Sequence, residues 1–192
     1  MIAERGVAGT RLADVADRIG VSPPAVLYWF DSKEQLLAEA LVADEDRFYN
    51  AVGVRLEQLP DPADRLALLI ASAAGGAGEF ALWLELWAWS LHDAGLSEAR
   101  ERLDDRWRCE IEKVVSDGQD AGTFSDVDPG QAALTIASLL DGLTVQVRLG
   151  ETLSPEGMVE AAALVAERLL DCELPRPALD NAGEMLAGVD HE

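Results

Sequence analysis

Thr10, Arg11, Ser22, Tyr28, Trp29 and Lys33 fall within one short stretch near the start of the 192-residue chain, with Pro23 and Pro24 between them. Hydroxyls and cations are the groups that hold phosphate oxygens, and apolar rings are the groups that meet base methyls. A second concentration is aromatic. Trp83 and Trp87 flank Glu85, and Trp107 follows further along. Rings around a carboxylate favour a cation, through the ring quadrupole and through charge pairing. Hydrolytic or redox chemistry has little to work with. The chain holds two histidines, His92 and His191, and two cysteines, Cys109 and Cys172, with no metal-ligand spacing among them. Gly76-Ala77-Gly78-Glu79-Phe80-Ala81 has the spacing of a dinucleotide loop, but it follows a helical pattern and not a strand. No phosphate loop of the Walker type and no Gly-x-Ser-x-Gly elbow occurs. The expectation is no catalytic residue, no metal and no cofactor.

Composition narrows the classes further. There are 36 Asp and Glu against 15 Lys and Arg, a net charge of −21. Such a chain does not coat nucleic acid by bulk charge, and it gains nothing from an anionic membrane surface. The charge is uneven. Residues 1–33 carry four cations and four acids, whereas residues 51–192 carry 10 Lys and Arg against 27 Asp and Glu. A hydrophobic share of 49% is that of a folded protein, not of an acidic tail. Two distant cysteines suit reduced thiols in a cytosol, where they would serve as packing residues. The first residues show no basic segment followed by an apolar one, and no window reaches the roughly 18 uninterrupted apolar residues of a membrane span.

The elements that must position these groups read as helices throughout. Thr10 can cap a helix through Leu12, Val15, Ala16 and Ile19, stopped by Gly20. Ser22 caps a short second helix with Pro23 at its first position, ended at Phe30-Asp31, and Val26, Leu27 and Phe30 are its packing side. Ser32 with Gln35 three residues on fits a capping box and starts a long third helix. Pro60-Asp61-Pro62 and Gly75-Gly76-Ala77-Gly78 break the chain. Glu79 to His92 is apolar on every side and predicts a buried central helix. Ser97, Asp128-Pro129 and Ser154-Pro155 open three more. The alternation in residues 144–149 is strand-like, but Ile136, Leu139, Leu140, Leu143 and Val147 carry a helical stripe through it. The fold expected is all-α, with a helix-turn-helix head at 1–43, a helical body at 44–172 and a flexible tail at 173–192.

A tight Gly20-Val21 turn between two short helices is the layout of a DNA-reading helix-turn-helix, although a plain helical hairpin shares the pattern. The run from Gly6 through Thr10, Val15-Ala16 and Ile19-Gly20-Val21-Ser22 to Tyr28-Trp29-Phe30, Ser32-Lys33 and Leu36 resembles the head of TetR-type repressors. More loosely, Leu82 to Asp93 with Leu140-Asp141-Gly142-Leu143 resembles the choline-responsive, BetI-like branch. The resemblance implies a dimeric repressor released from operator DNA by a small molecule. It gives Thr10, Ser22 and Lys33 phosphate contacts, turns Pro23, Pro24, Tyr28 and Trp29 to the groove, and Arg11 joins them as a DNA-binding residue. It also implies a four-helix dimer interface from the last two helices, through Ile136, Leu140, Leu143, Val147, Met158, Ala162, Val165 and Leu169. The sequence departs from the family where Leu27 stands for Tyr and Pro23-Pro24 for Lys or Gly. Of the family's first helix only a last turn, Ile2 to Arg5, is present, so a longer native N-terminus is expected.

The effector region is drawn from Trp83, Glu85, Trp87 and Trp107, and the acidic body favours a cationic amine. The plainer reading keeps those tryptophans as core. The overall expectation is a cytoplasmic, ligand-responsive, homodimeric transcription regulator that is neither an enzyme nor a membrane protein. The alternative is a helical ligand- or partner-binding module that has lost DNA reading.

Overall fold

The structure is a computed structural model, and it describes residues 11–30, 32–74, 79–150 and 152–176. Every regular element among them is helical: α1 (Leu12–Ile19), α2 (Pro23–Trp29), α3 (Lys33–Gln58), α4 (Pro62–Ser72), α5 (Glu79–Ser90), α6 (Ala94–Asp120), α7 (Pro129–Leu149) and α8 (Pro155–Leu170). Residues 144–149 are helical, as the stripe through them requires. Thr10, Ile2 to Arg5 and the Gly75–Gly78 break lie outside the described residues.

Local hydrogen bonding explains most boundaries. Asp61 accepts from the Ala63 amide at 2.9 Å, Asp128 from Gln131 at 2.7 Å and Ser154 from Gly157 at 3.1 Å. Each side chain satisfies an amide that the first turn leaves without a helical partner. A proline follows each cap, where a missing N–H costs nothing. Ser32 does the same for Gln35 at 3.1 Å. Two starts differ from expectation. α1 begins after Arg11, whose amide donates to Asp14 at 3.1 Å. α6 begins at Ala94, because Asp93 and not Ser97 accepts the amide of Leu96 at 3.0 Å.

The chain divides into two compact units, each with its own interior. The first holds the described residues of Met1–Phe48 and Gly76–Asp104, the second those of Tyr49–Gly75 and Asp105–Glu192. In the first unit Ala38 and Leu41 of α3 bury against Leu86 of α5 and Leu96 and Leu103 of α6. In the second unit the interior is built from Leu66, Leu69, Ile70, Ile111, Val115, Ile136, Leu140, Met158 and Leu170. α8 packs on both α7 and α4. The buried Thr144 hydroxyl donates to the Leu140 carbonyl and that of Ser72 to the Leu69 carbonyl, each at 2.8 Å. Arg65 of α4 pairs with Asp117 of α6 at 2.7 Å, and the Arg106 guanidinium lies 4.0 Å over the ring of Tyr49. α7 is long and apolar enough to cross a membrane by length and composition, but its buried side packs into this interior.

Three further expectations are corrected. α5 is not a buried central helix: among its described side chains only Leu86 is buried, and Trp83, Trp87 and Trp89 are half-covered. The start of the expected loose tail is tied down, since Leu174 is buried and Arg176 pairs with Glu167 at 2.9 Å. Cys109 is exposed on α6, so it is no packing residue.

Cys172 is half-buried, and desolvation, with Glu167 and Asp171 nearby, pushes its thiol up to about 11. Alkylation at pH 8 is therefore expected to label Cys109 and spare Cys172, a difference that peptide mass spectrometry reads directly. The same shift has a stability sign. The unfolded chain releases this proton first, so folding is disfavoured as pH rises from the ordinary thiol range to about 11.

Candidate nucleic-acid interface and ligand region

The head is a small assembly with Ala16 and Val26 as its buried centre. α1 and α2 pack on each other across a turn that needs glycine for its backbone alone. Gly20 adopts φ 74°, ψ 30°, and nothing lies within 4 Å of where a Cβ would stand. The amide of Val21 closes back on the carbonyl of Ala16 at 2.9 Å, which locks α2 in a fixed direction after α1.

α2 is seven residues long and has one inward position, taken by Val26. The rest is turned outward. Tyr28 is 81% exposed, Trp29 75% and Leu27 48%. The outward place of Leu27 corrects its expected packing role, because neighbouring helix positions point about 100° apart and a helix of about two turns has room for one inward side chain, Val26. The rings of Tyr28 and Trp29 meet edge to face with centroids 5.4 Å apart. Pro23 and Pro24 are exposed beside them. Ser22 stands at the helix start without making a side-chain cap bond. Arg11 is exposed before α1, and Lys33 is half-covered in the first turn of α3. The structure therefore collects Arg11, Ser22, Pro23, Pro24, Tyr28, Trp29 and Lys33 in one unit, on and around the two short helices.

The ligand candidates divide. Trp83, Glu85 and Trp87 lie on α5 of the first unit, all half-covered, and Trp107 belongs to the second. Trp83 packs on the Leu41–Leu86–Leu96 interior together with Trp89. A cleft of about 380 Å³ also opens in the first unit, with none of these tryptophans in its wall. Its floor is Ala38, Leu96 and Ala99, and Glu39, Asp93 and Arg102 supply charge. Glu39 accepts from the side-chain Nε2 of Gln35 at 3.0 Å and Asp93 is engaged in capping α6. The cleft joins α3 to the start of α6, a pairing that no helical period announces.

The interface candidates divide as well. Ile136, Leu140, Met158 and Ala162 are buried in their own chain and leave no surface for a partner. Leu143, Val147 and Leu169 are half-covered. The open apolar side of α7 and α8 is formed by Leu134, Leu164 and Val165.

Residues 1–40 match the family described as bacterial regulatory proteins, tetR family, and residues 62–171 match the BetI-type transcriptional repressor C-terminal family. An HTH-type transcriptional regulator BetI from Burkholderia ambifaria is 30% identical over 152 residues, covering 74% of this chain and 73% of that protein. One from Burkholderia mallei is 30% identical over 178 residues, covering 88% and 87%. Among solved structures, a transcriptional regulator from Saccharomonospora viridis in complex with choline superimposes with a TM-score of 0.79 at 28% identity, covering 88% of this chain and 91% of the other. A TetR-family regulator from Rhodococcus sp. gives a TM-score of 0.75 at 26% identity, covering 88% and 92%.

Proposed function

Because the chain belongs to the TetR family of bacterial transcriptional regulators and has a BetI-type C-terminal region, we propose that it is a homodimeric cytoplasmic repressor that a small cationic amine releases from its operator. The observation that carries this reading is the outward set on α2, held by the Gly20 turn: Leu27, Tyr28 and Trp29 are 48%, 81% and 75% exposed. A helix so placed enters a major groove, while Arg11, Ser22 and Lys33 hold flanking phosphates. Two such heads read half-sites about one helical turn apart. The −17 carried by residues 51–192 repels DNA everywhere except at the head, which favours specific over loose binding.

We place the effector against the α5 face that carries Trp83 and Trp87, one helical turn apart, with Glu85 two positions from each and on the other side of the helix. A quaternary or primary amine would gain ring attraction there, and the acidic body would supply the longer-range field that draws it in. The choline held by the similar Saccharomonospora viridis protein supports that chemistry. Release needs no more than a ligand that prefers the head spacing unable to fit DNA. Titration with choline or spermidine should quench tryptophan fluorescence saturably and raise the protein concentration needed for half-occupancy of the operator. Binding of an anion or neutral lipid, with no response to any cationic amine, would overturn the amine assignment.

The dimer forms through the outer side of α7 and α8. Leu164, 55% exposed on α8, is its most open apolar residue among Leu134, Leu164 and Val165. Leu164→Glu would bury a charge with no partner in each copy of an isologous contact. The expected result in sedimentation velocity at micromolar concentration is a dimer for the native chain and a monomer for the variant. An unchanged dimer would move the interface elsewhere.

A further inference from the structure

We infer that α2 reads its operator through thymine methyl groups, by apolar and aromatic contact and without any bidentate hydrogen-bond readout. This rests on the proposal that α2 enters the major groove. Its residues are Pro23-Pro24-Ala25-Val26-Leu27-Tyr28-Trp29. None is Arg, Lys, Asn, Gln, Asp or Glu, the side chains that pair with the edges of guanine, adenine and cytosine. The backbone route is closed as well. Pro23 and Pro24 have no N–H, and the amides of Ala25 and Val26 both donate to the Ser22 carbonyl, at 2.9 and 3.3 Å. The first turn therefore offers no amide to a base or a phosphate.

What α2 does offer is two pyrrolidine rings, the Leu27 side chain and the rings of Tyr28 and Trp29. The edge-to-face packing of the two aromatic rings presents them as one preformed surface, so little side-chain freedom is left to lose on docking. Two polar tips remain, the Tyr28 hydroxyl and the Trp29 indole N–H. A hydroxyl that both donates and accepts fits several base edges, and a lone indole donor fits any acceptor, so neither identifies a base pair by itself. The apolar feature that a base pair presents in the major groove is the C5-methyl of thymine. A chain that must read sequence with this surface reads where the methyls are. The charged contacts of Arg11 and Lys33 lie outside α2 and add affinity for any sequence.

The experiment uses the full chain. Binding sites are first selected from a random duplex pool, and affinity is then measured by fluorescence anisotropy on the selected duplex. In a second duplex one central thymine of each half-site is replaced by deoxyuridine, which keeps the pairing edge and removes the methyl. One methyl contact is worth about 3- to 5-fold by its burial, so two symmetric contacts predict roughly 10- to 20-fold weaker binding. Tyr28→Ala and Leu27→Ala, at exposed positions that leave folding untouched, should bind weakly and lose the distinction between thymine and deoxyuridine. Equal affinity for both duplexes, or selected sites with no recurring thymine, would overturn the methyl readout while leaving the regulator assignment standing. Failure to select any sequence would overturn both. Capture of a protein partner on Leu27, Tyr28 and Trp29 that blocks no DNA binding would also count against it.

Discussion

Replacing Tyr28 and Trp29 together by alanine should remove sequence-specific DNA binding, by two to three orders of magnitude in Kd, and leave the melting temperature where it was. The two effects separate because the rings lie 81% and 75% outside the fold. Surface substitutions that touch no core, cap or network typically change stability by no more than about 0.5 kcal/mol. Binding is different. Each lost base contact costs about 1–3 kcal/mol, and a two-fold symmetric dimer loses every contact twice. Four contacts at the lower end of that range give about 4 kcal/mol, close to a thousand-fold. Lys33→Ala is the informative contrast. It should weaken binding to all sequences alike and reduce the slope of affinity against salt by about one per protomer, with base preference intact. Anisotropy titrations across a salt series distinguish the two behaviours.

Gly118→Ala should unfold the second unit far more readily than a one-methyl change suggests. Gly118 sits near the end of α6, beneath the turn that carries Phe124 back over the helix. The amides of Thr123 and Phe124 both donate to the Gly118 carbonyl, at 2.8 and 3.1 Å. Gln119 holds the strand of chain that follows, donating to the carbonyls of Ser125 and Val127 at 2.9 and 2.7 Å. A Cβ on residue 118 would stand 2.0 Å from one ring carbon of Phe124 and 2.3 Å from the next. The ring is buried and its backbone is tied on both sides, so the methyl displaces it outright. The cost is then that of losing a buried phenylalanine, about 3 kcal/mol or more, which lowers Tm by roughly 6–12 °C for a chain of this size. Thermal unfolding followed by circular dichroism measures it. A double-mutant cycle identifies the cause: on a Phe124→Ala background the same Gly118→Ala change should cost little or nothing. An equal cost with and without the ring would mean that the clash is not the mechanism.

How far these features could be read beforehand depends on how local their physics is. Asp61, Asp128 and Ser154 each cap with their own side chain within three residues, so a short window of sequence contains the whole interaction. The same holds for Gly20, where the requirement is a backbone angle. At α6 the sequence points to Ser97, whereas the helix starts one turn earlier because the Asp93 carboxylate reaches the amide of Leu96. For Leu27 the helical period assigns a packing face, whereas a seven-residue helix buries only one residue, Val26. α7 and α8 pose a harder problem. Each carries an apolar inner stripe and an apolar outer one, and periodicity alone does not say which faces the chain's own interior. Ile136, Leu140, Met158 and Ala162 turned out to be inner, and Leu134, Leu164 and Val165 outer. The cleft around Glu39, Asp93 and Arg102 was illegible for a further reason. It exists only through the juxtaposition of α3 with α6, across more than fifty residues of chain.

The most direct test of the regulator account is a hydroxyl-radical footprint of the full chain on the DNA upstream of its own gene, with and without choline. The account predicts protection at two symmetric half-sites about one helical turn apart, persisting against excess random duplex and lost as choline saturates the protein. Protection no stronger than on random DNA of the same composition, at every protein concentration, would contradict it.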